Sequence, residues 1–150
     1  MPQSLSKVYT HIIFGTKHRQ NFIDDDIESS LFNYLGGVCR GLESHPVQVG
    51  GYRNHVHILC LLGRKVPQTK LLEELKKRSS KWIKTQGEQY QNFYWQDGYG
   101  IFSVSPGKVE VVSKYIQNQE LHHRKMSFRE EYRRFLDKYH VDYDEKYLWD

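Results

Sequence analysis

The stretch "GYRNHVHILCLLG", Gly51–Gly63, sets two histidines one residue apart at the head of an apolar run. Successive side chains of a strand point to opposite faces, so His55 and His57 share one face and Val56 takes the other. Two such rings start about 7 Å apart, near enough to converge on one divalent ion. An isolated H-x-H is more often a pair of satisfied polar residues near a strand end than a ligand pair, so the rest of the chain must decide. A second constellation lies in "KYIQNQELHH", Lys114–His123. Tyr115 and Gln119 are four apart, which on a helix puts them on one face a turn apart, beside the apolar stripe of Val112 and Ile116. Taken alone, Tyr115 reads as a boundary aromatic.

Basic residues form a third feature. Lys76, Lys77, Arg78 and Lys81 in "KKRSSK", with Arg124 and Lys125 in "HHRK", are candidates for neutralising backbone phosphates. Tyr94 and Tyr99 are candidates for stacking on unpaired bases. The competing reading of a lysine run on a helix is a solvated face. His122 and His123 read as solvent-facing or phosphate-contacting rather than as metal ligands.

Periodicity identifies the elements that must position these groups. "KVYTHIIFGT" is rich in β-branched and aromatic residues and predicts a first strand. Ile27, Leu31, Leu35, Val38 and Leu42 recur at helical steps, with Asp24–Asp26 at the helix's positive end. "VQVGGY" and "HVHILCLL" predict two strands joined by a tight turn at Arg53-Asn54. Leu71, Leu72, Leu75 and Trp82 mark the inner stripe of a second helix, and Ile101–Val104 a fourth strand. A third helix is predicted from "SPGKVEVVSKYIQNQELHH", with Ser105 as N-cap and Pro106 at the first helical position. Ser127 and Glu130 make a capping-box pattern for a last helix running to about Tyr139. This order predicts an α+β fold: a ferredoxin-like, split βαβ antiparallel sheet with helices on one face, plus extra C-terminal helices.

The bulk numbers bound the rest. A chain of 150 residues, 38% hydrophobic and 27% charged, predicts one globular domain. Ile58–Leu62 is the longest unbroken apolar stretch, too short for a bilayer, and the N-terminal residues lack a secretory pattern. Cys39 and Cys60 are too few for a disulfide framework. Together these predict a cytoplasmic protein with no membrane partner. The net charge of +4 suits a polyanionic partner. No G-x-x-x-x-G-K-[ST] phosphate loop occurs, so no nucleotide cofactor is expected.

Taken in order, the His-hydrophobic-His strand and the Tyr-x-x-x-Gln helix resemble the single-tyrosine HUH transposases of small bacterial insertion sequences. The resemblance spans nearly the whole chain, through "GYRNHVHILC", "SSKWI", "FYWQDGYGIFSVS", "VSKYIQNQELHH", "SFREEYRRFL" and "DEKYLW". It implies a single HUH tyrosine transposase domain over residues 1–150. It implies a divalent ion, Mg²⁺ or Mn²⁺, held by His55, His57 and Gln119, and Tyr115 as the nucleophile. The reaction so implied cleaves and rejoins single-stranded DNA hairpins at element ends through a 5′-phosphotyrosine. It also implies a homodimer in which Tyr115 of one subunit joins the histidines of the other. Asn54 departs from the acidic residue that relatives often carry there, which bears on how His55 is oriented. Two further readings are a domesticated relative acting on repetitive extragenic palindromes and a non-catalytic single-stranded nucleic-acid-binding module. A pure binder has no need of His55, His57, Tyr115 and Gln119 together.

Overall fold

Alternation along the first strand sorts Thr10, Ile12 and Phe14 to one face and His11 and Ile13 to the other, and the remaining elements follow from covering both faces. The computed structural model describes residues 2–150. The elements are β1 (Tyr9–Gly15), α1 (Glu28–Gly41), β2 (His45–Tyr52), β3 (His55–Leu61), α2 (Gln68–Ile83), β4 (Gly100–Val104), α3 (Val109–Gln117), α4 (Gln119–His122) and α5 (Phe128–Lys138). The four strands form one sheet in the order β2-β3-β1-β4, every neighbouring pair antiparallel. This is the ferredoxin-like arrangement that the order of elements predicts. The tight turn falls at Arg53, whose φ of 57° lies in the left-handed region.

On one face Ile12, Phe14, Val56, Ile58 and Cys60 meet Leu31 and Leu35 of α1 and Leu71 and Leu75 of α2 in the main core. Each such side chain contributes about 1.5–3 kcal/mol by leaving water. Cys39 and Cys60 are both free and buried. The extra C-terminal helices cover the opposite face: Ile116 packs on Leu59 and Val104, while Phe128, Tyr132 and Leu136 pack on Ile13 and Phe102. The histidines of β1 and β3 lie on this second face, under α3–α5.

The third helix departs from the expected single span. Pro106–Lys108 form a 3₁₀ turn, and Ser105 makes no side-chain cap bond. The α-helix is then interrupted at Asn118 (φ −101°, ψ 25°), so α3 and α4 are separate pieces. Asparagine favours such breaks because its side chain competes for backbone groups. The last helix starts as predicted, with Ser127 Oγ accepting from the Glu130 N–H at 3.2 Å. Beyond it the tail returns to the sheet end: the Gly98 N–H donates to Asp150 O at 2.9 Å, and Trp149 packs on Phe128 and Tyr132.

Candidate active site

β3 presents His55 and His57 on one face, and both are fully buried. Asn54 fixes the first ring. Its Nδ2 donates to Arg19 O (3.3 Å), which turns Oδ1 toward His55 Nδ1 at 3.0 Å. Nδ1 therefore carries the proton and the Nε2 lone pair points inward. The amide thus serves as the acceptor that an acidic residue would supply. Behind the second ring, His57 Nδ1 lies 2.8 Å from His11 Nε2.

α4 and α5 close the site from above. Gln119 Nε2 donates to Glu131 Oε2 (3.1 Å), which sends Gln119 Oε1 to within 2.9 Å of His55 Nε2 and 3.0 Å of His123 Nε2. Glu131 Oε1 lies 3.0 Å from His57 Nε2, 3.3 Å from His123 Nε2 and 3.4 Å from His55 Nε2. The Tyr115 hydroxyl donates to Glu131 Oε2. Three imidazoles, an amide and a phenol, from β3, α3 and the α4 segment with its C-cap, therefore converge on one buried carboxylate of α5.

The set fits a divalent cation on its own chemistry. Ligand atoms of His55, His57 and Glu131 lie within 4.8 Å of one another. The inward lone pair of His55 faces two oxygens, an acceptor-to-acceptor contact that only an intervening proton or cation relieves. Imidazole nitrogen with amide and carboxylate oxygen suits first-row divalent ions, and Mg²⁺ through the oxygens.

Electrostatics fix the protonation states. Burial lowers the His55 pKa to about 4, against the opposing effect of Glu131, so the ring is neutral and free to ligate. His11 is likewise held well below its ordinary value, first by burial and then by His57. Burial alone would raise the Glu131 carboxyl. The neighbouring imidazoles, His57 first and then His123 and His55, outweigh it and hold Glu131 below the ordinary range. Tyr115 is pushed above its ordinary value by burial, then by the adjacent carboxylate. The resting site thus pairs a carboxylate with a protonated phenol.

Of the residues singled out from sequence, His55, His57, Gln119 and Tyr115 come together. Because α3 seats on β2 and β3, one chain supplies them all: Tyr115 and His57 ring centroids are 5.9 Å apart. His123 is corrected: its side chain is only 6% exposed and points into the site, while His122 stacks on Tyr115 at 4.4 Å. Glu131 escaped notice, although Phe128, Tyr132, Phe135 and Leu136 form an apolar stripe on α5 in which it is the one acid. His11, on a strand it shares with Ile12, Ile13 and Phe14, carried a similar signal.

The basic residues have separate fates. α2 packs on the face opposite the histidines, so Lys76, Lys77, Arg78 and Lys81 do not join the site. Lys76 Nζ donates to Gln96 O, Asp97 O and Gly98 O at 2.7–2.9 Å, filling its three donors, so it secures a loop instead of facing a phosphate. Burial lowers its pKa to about 8. Arg78 pairs with Glu74 at 2.7 Å and Arg124 with Glu120 at 3.9 Å. Lys77, Lys81 and Lys125 are exposed.

The comparisons with known proteins meet this geometry. The family model described as "Transposase IS200 like" matches residues 4–119. The chain belongs to the IS200-like transposase family. Among curated proteins none matches. Two solved structures are similar to this IS200-like transposase in fold. One, from Deinococcus radiodurans R1 and assigned as a transposase, has a TM-score of 0.62 at 20% identity, covering 79% of this chain and 98% of that one. The other is a REP-associated tyrosine transposase bound to a REP hairpin, with a TM-score of 0.58 at 12% identity, covering 82% and 73%. No helix among the described residues is long and apolar enough to cross a membrane. The family match ends at Gln119, so His123 and Glu131 lie beyond it.

Proposed function

We propose that this transposase cleaves and rejoins single-stranded DNA at hairpin-bearing element ends, with Tyr115 as the nucleophile. The observation that carries the reading is the convergence of Tyr115, His55, His57 and Gln119 on one buried carboxylate. A DNA hairpin bound by a structure of similar fold supports the choice of substrate.

His55, His57 and Gln119 would hold Mg²⁺ or Mn²⁺, with Glu131 added to that set. When bound, the ion withdraws charge from the scissile phosphate and the departing 3′ oxygen. The chain's own residues do the rest. Asn54 and His11 hold the two imidazoles in place. Glu131 accepts the Tyr115 hydrogen bond and so aims Oη. As the Oη–P bond forms, the P–O3′ bond breaks; the phenolic proton passes along its bond to Glu131, and one proton is returned through solvent to the departing 3′ oxygen, which leaves as a hydroxyl while Glu131 is restored as a carboxylate. The 5′-phosphotyrosine stores the bond, because a phenolate leaves more readily than a sugar alkoxide, and another 3′-hydroxyl reverses the step. No nucleotide is consumed. Two element ends need two nucleophiles, which a homodimer with one complete site per subunit provides.

The test is incubation with single-stranded hairpin DNA and Mn²⁺, read as a covalent band on a denaturing gel. Wild type gives the band, whereas Tyr115→Phe binds the hairpin without it and EDTA suppresses it. A band persisting in Tyr115→Phe would falsify the nucleophile. Mixing His57→Ala with Tyr115→Phe gives no rescue if each chain carries its own site.

A further inference from the structure

Beside Tyr115 opens a cavity of about 280 Å³ between α3 and α5. Its floor is formed by His11, Tyr115 and Glu131, and its walls are Val111, Val112, Met126, Phe135 and Tyr139. Along α5 the residues that face it are Glu131, Arg134, Phe135 and Lys138, one stripe at helical spacing that runs from the buried carboxylate to solvent. Val111, Val112 and Tyr115 make the matching stripe on α3. Arg134 and Lys138 line the cavity, and both are exposed. Among the described residues neither forms an ion pair, unlike Arg129 and Arg133, which share Glu145.

We infer that this cavity receives one unpaired nucleobase of the DNA strand next to the phosphodiester that Tyr115 attacks. The inference rests on the reading of Tyr115 as nucleophile and adds to it a base-binding site. Three observations select this occupant. The volume sits at the lower edge of small-molecule sites, about 300 Å³, room for a base or nucleoside and not for a folded segment. The walls are apolar and aromatic, as a planar base requires, and Phe135 is fixed edge-on to His11 at 5.1 Å and to Tyr115 at 5.9 Å. Two uncompensated cations at one side and a phenol at the floor match a base whose own phosphates run from solvent into the site. A base in duplex is stacked and paired and cannot enter, so the cavity would also select single strands.

The probes are thymidine 5′-monophosphate, deoxyadenosine 5′-monophosphate and, as a baseless control, deoxyribose 5-phosphate. Met126 is one of only two methionines, so its labelled methyl gives an isolated NMR signal in the cavity wall. The two nucleotides should shift that signal saturably and deoxyribose 5-phosphate should not. Val111 is 62% exposed, so Val111→Trp fills the cavity without disturbing the core. That variant should lose the shift and bind single-stranded oligothymidylate about tenfold more weakly by anisotropy. Equal shifts with the baseless phosphate, or wild-type oligothymidylate binding by Val111→Trp, would overturn the proposal. Adduct mapping separates this outcome from failure of the nucleophile. Base binding together with an adduct on another tyrosine leaves the cavity standing, whereas an adduct on Tyr115 with a silent Met126 removes the cavity alone.

Discussion

Gly50 lies directly across β2–β3 from His57, and α3 rests on it. A Cβ at this position would stand 2.7 Å from Ile116 O and 2.8 Å from Ile116 Cγ2. Ordinary contact begins near 3.4 Å, so Gly50→Ala drives the backbone of Ile116 outward by about 0.7 Å, and the adjacent Tyr115 moves with it. A displacement of about 1 Å from reactive geometry costs roughly a hundredfold in rate, so adduct formation should fall between ten- and a hundredfold. Overpacking also costs about 1–3 kcal/mol, or roughly 2–12 °C in Tm for a domain of this size. The assay is single-turnover adduct formation on hairpin DNA with saturating Mn²⁺, alongside a thermal melt. Gly37→Ala is the control: its Cβ meets nothing within 4 Å, so its adduct rate should match wild type. A folded Gly50→Ala protein forming adduct at the wild-type rate would refute the claim that this contact positions the tyrosine.

Three other perturbations address the carboxylate, the histidines and the loop. Glu131→Gln keeps the shape of the side chain and removes its charge. Mn²⁺ affinity by calorimetry should weaken by roughly ten- to a hundredfold, and unchanged affinity would exclude Glu131 from the ion's surroundings. For the metal-free protein in EDTA, His55 titrates near 4 when folded and 6.5 when unfolded, so the unfolded chain takes its proton first as pH falls. Its contribution is fully present above about pH 6.5 and declines toward pH 4, reaching a loss of about 2 kcal/mol at pH 5 in urea unfolding. The lowered pKa of Glu131 extends that decline at lower pH, and a flat profile from pH 8 to 5 would contradict this. Lys76→Met leaves three loop carbonyls without their donor and should cost about 1–3 kcal/mol. The salt dependence of single-strand binding should not change, and a shallower slope would return Lys76 to the DNA interface.

Much of the fold was legible because local rules and global packing agree. Period-two alternation in "YTHIIFG" and "HVHILCL" assigns faces that the sheet obeys, and the Ser127–Glu130 box starts α5 where it should. The pair His55/His57 and the pair Tyr115/Gln119 were legible as spacings, and their meeting in one site was implied only by the family resemblance. Glu131 was harder because an acid on an amphipathic helix ordinarily faces water. Only the placement of α5 over the histidines makes it buried. The break at Asn118 was hidden for a different reason, since helical spacing continues through it. Lys76 looked like one of a solvated run, and nothing local distinguishes it from Lys77. Its burial depends on a loop some twenty residues away.

One consequence follows from where the carboxylate is carried. The H-x-H pair belongs to the central sheet, while Glu131 belongs to a separate helix capped at its own start. Grafting an α5 without this acid onto the same sheet would therefore change the charge of the proposed ion site by one unit while the H-x-H residues stay the same. In such a chimera, preference among Mg²⁺, Mn²⁺ and softer ions would be inherited with the helix, as a trait separable from the scaffold that gives the family its fold.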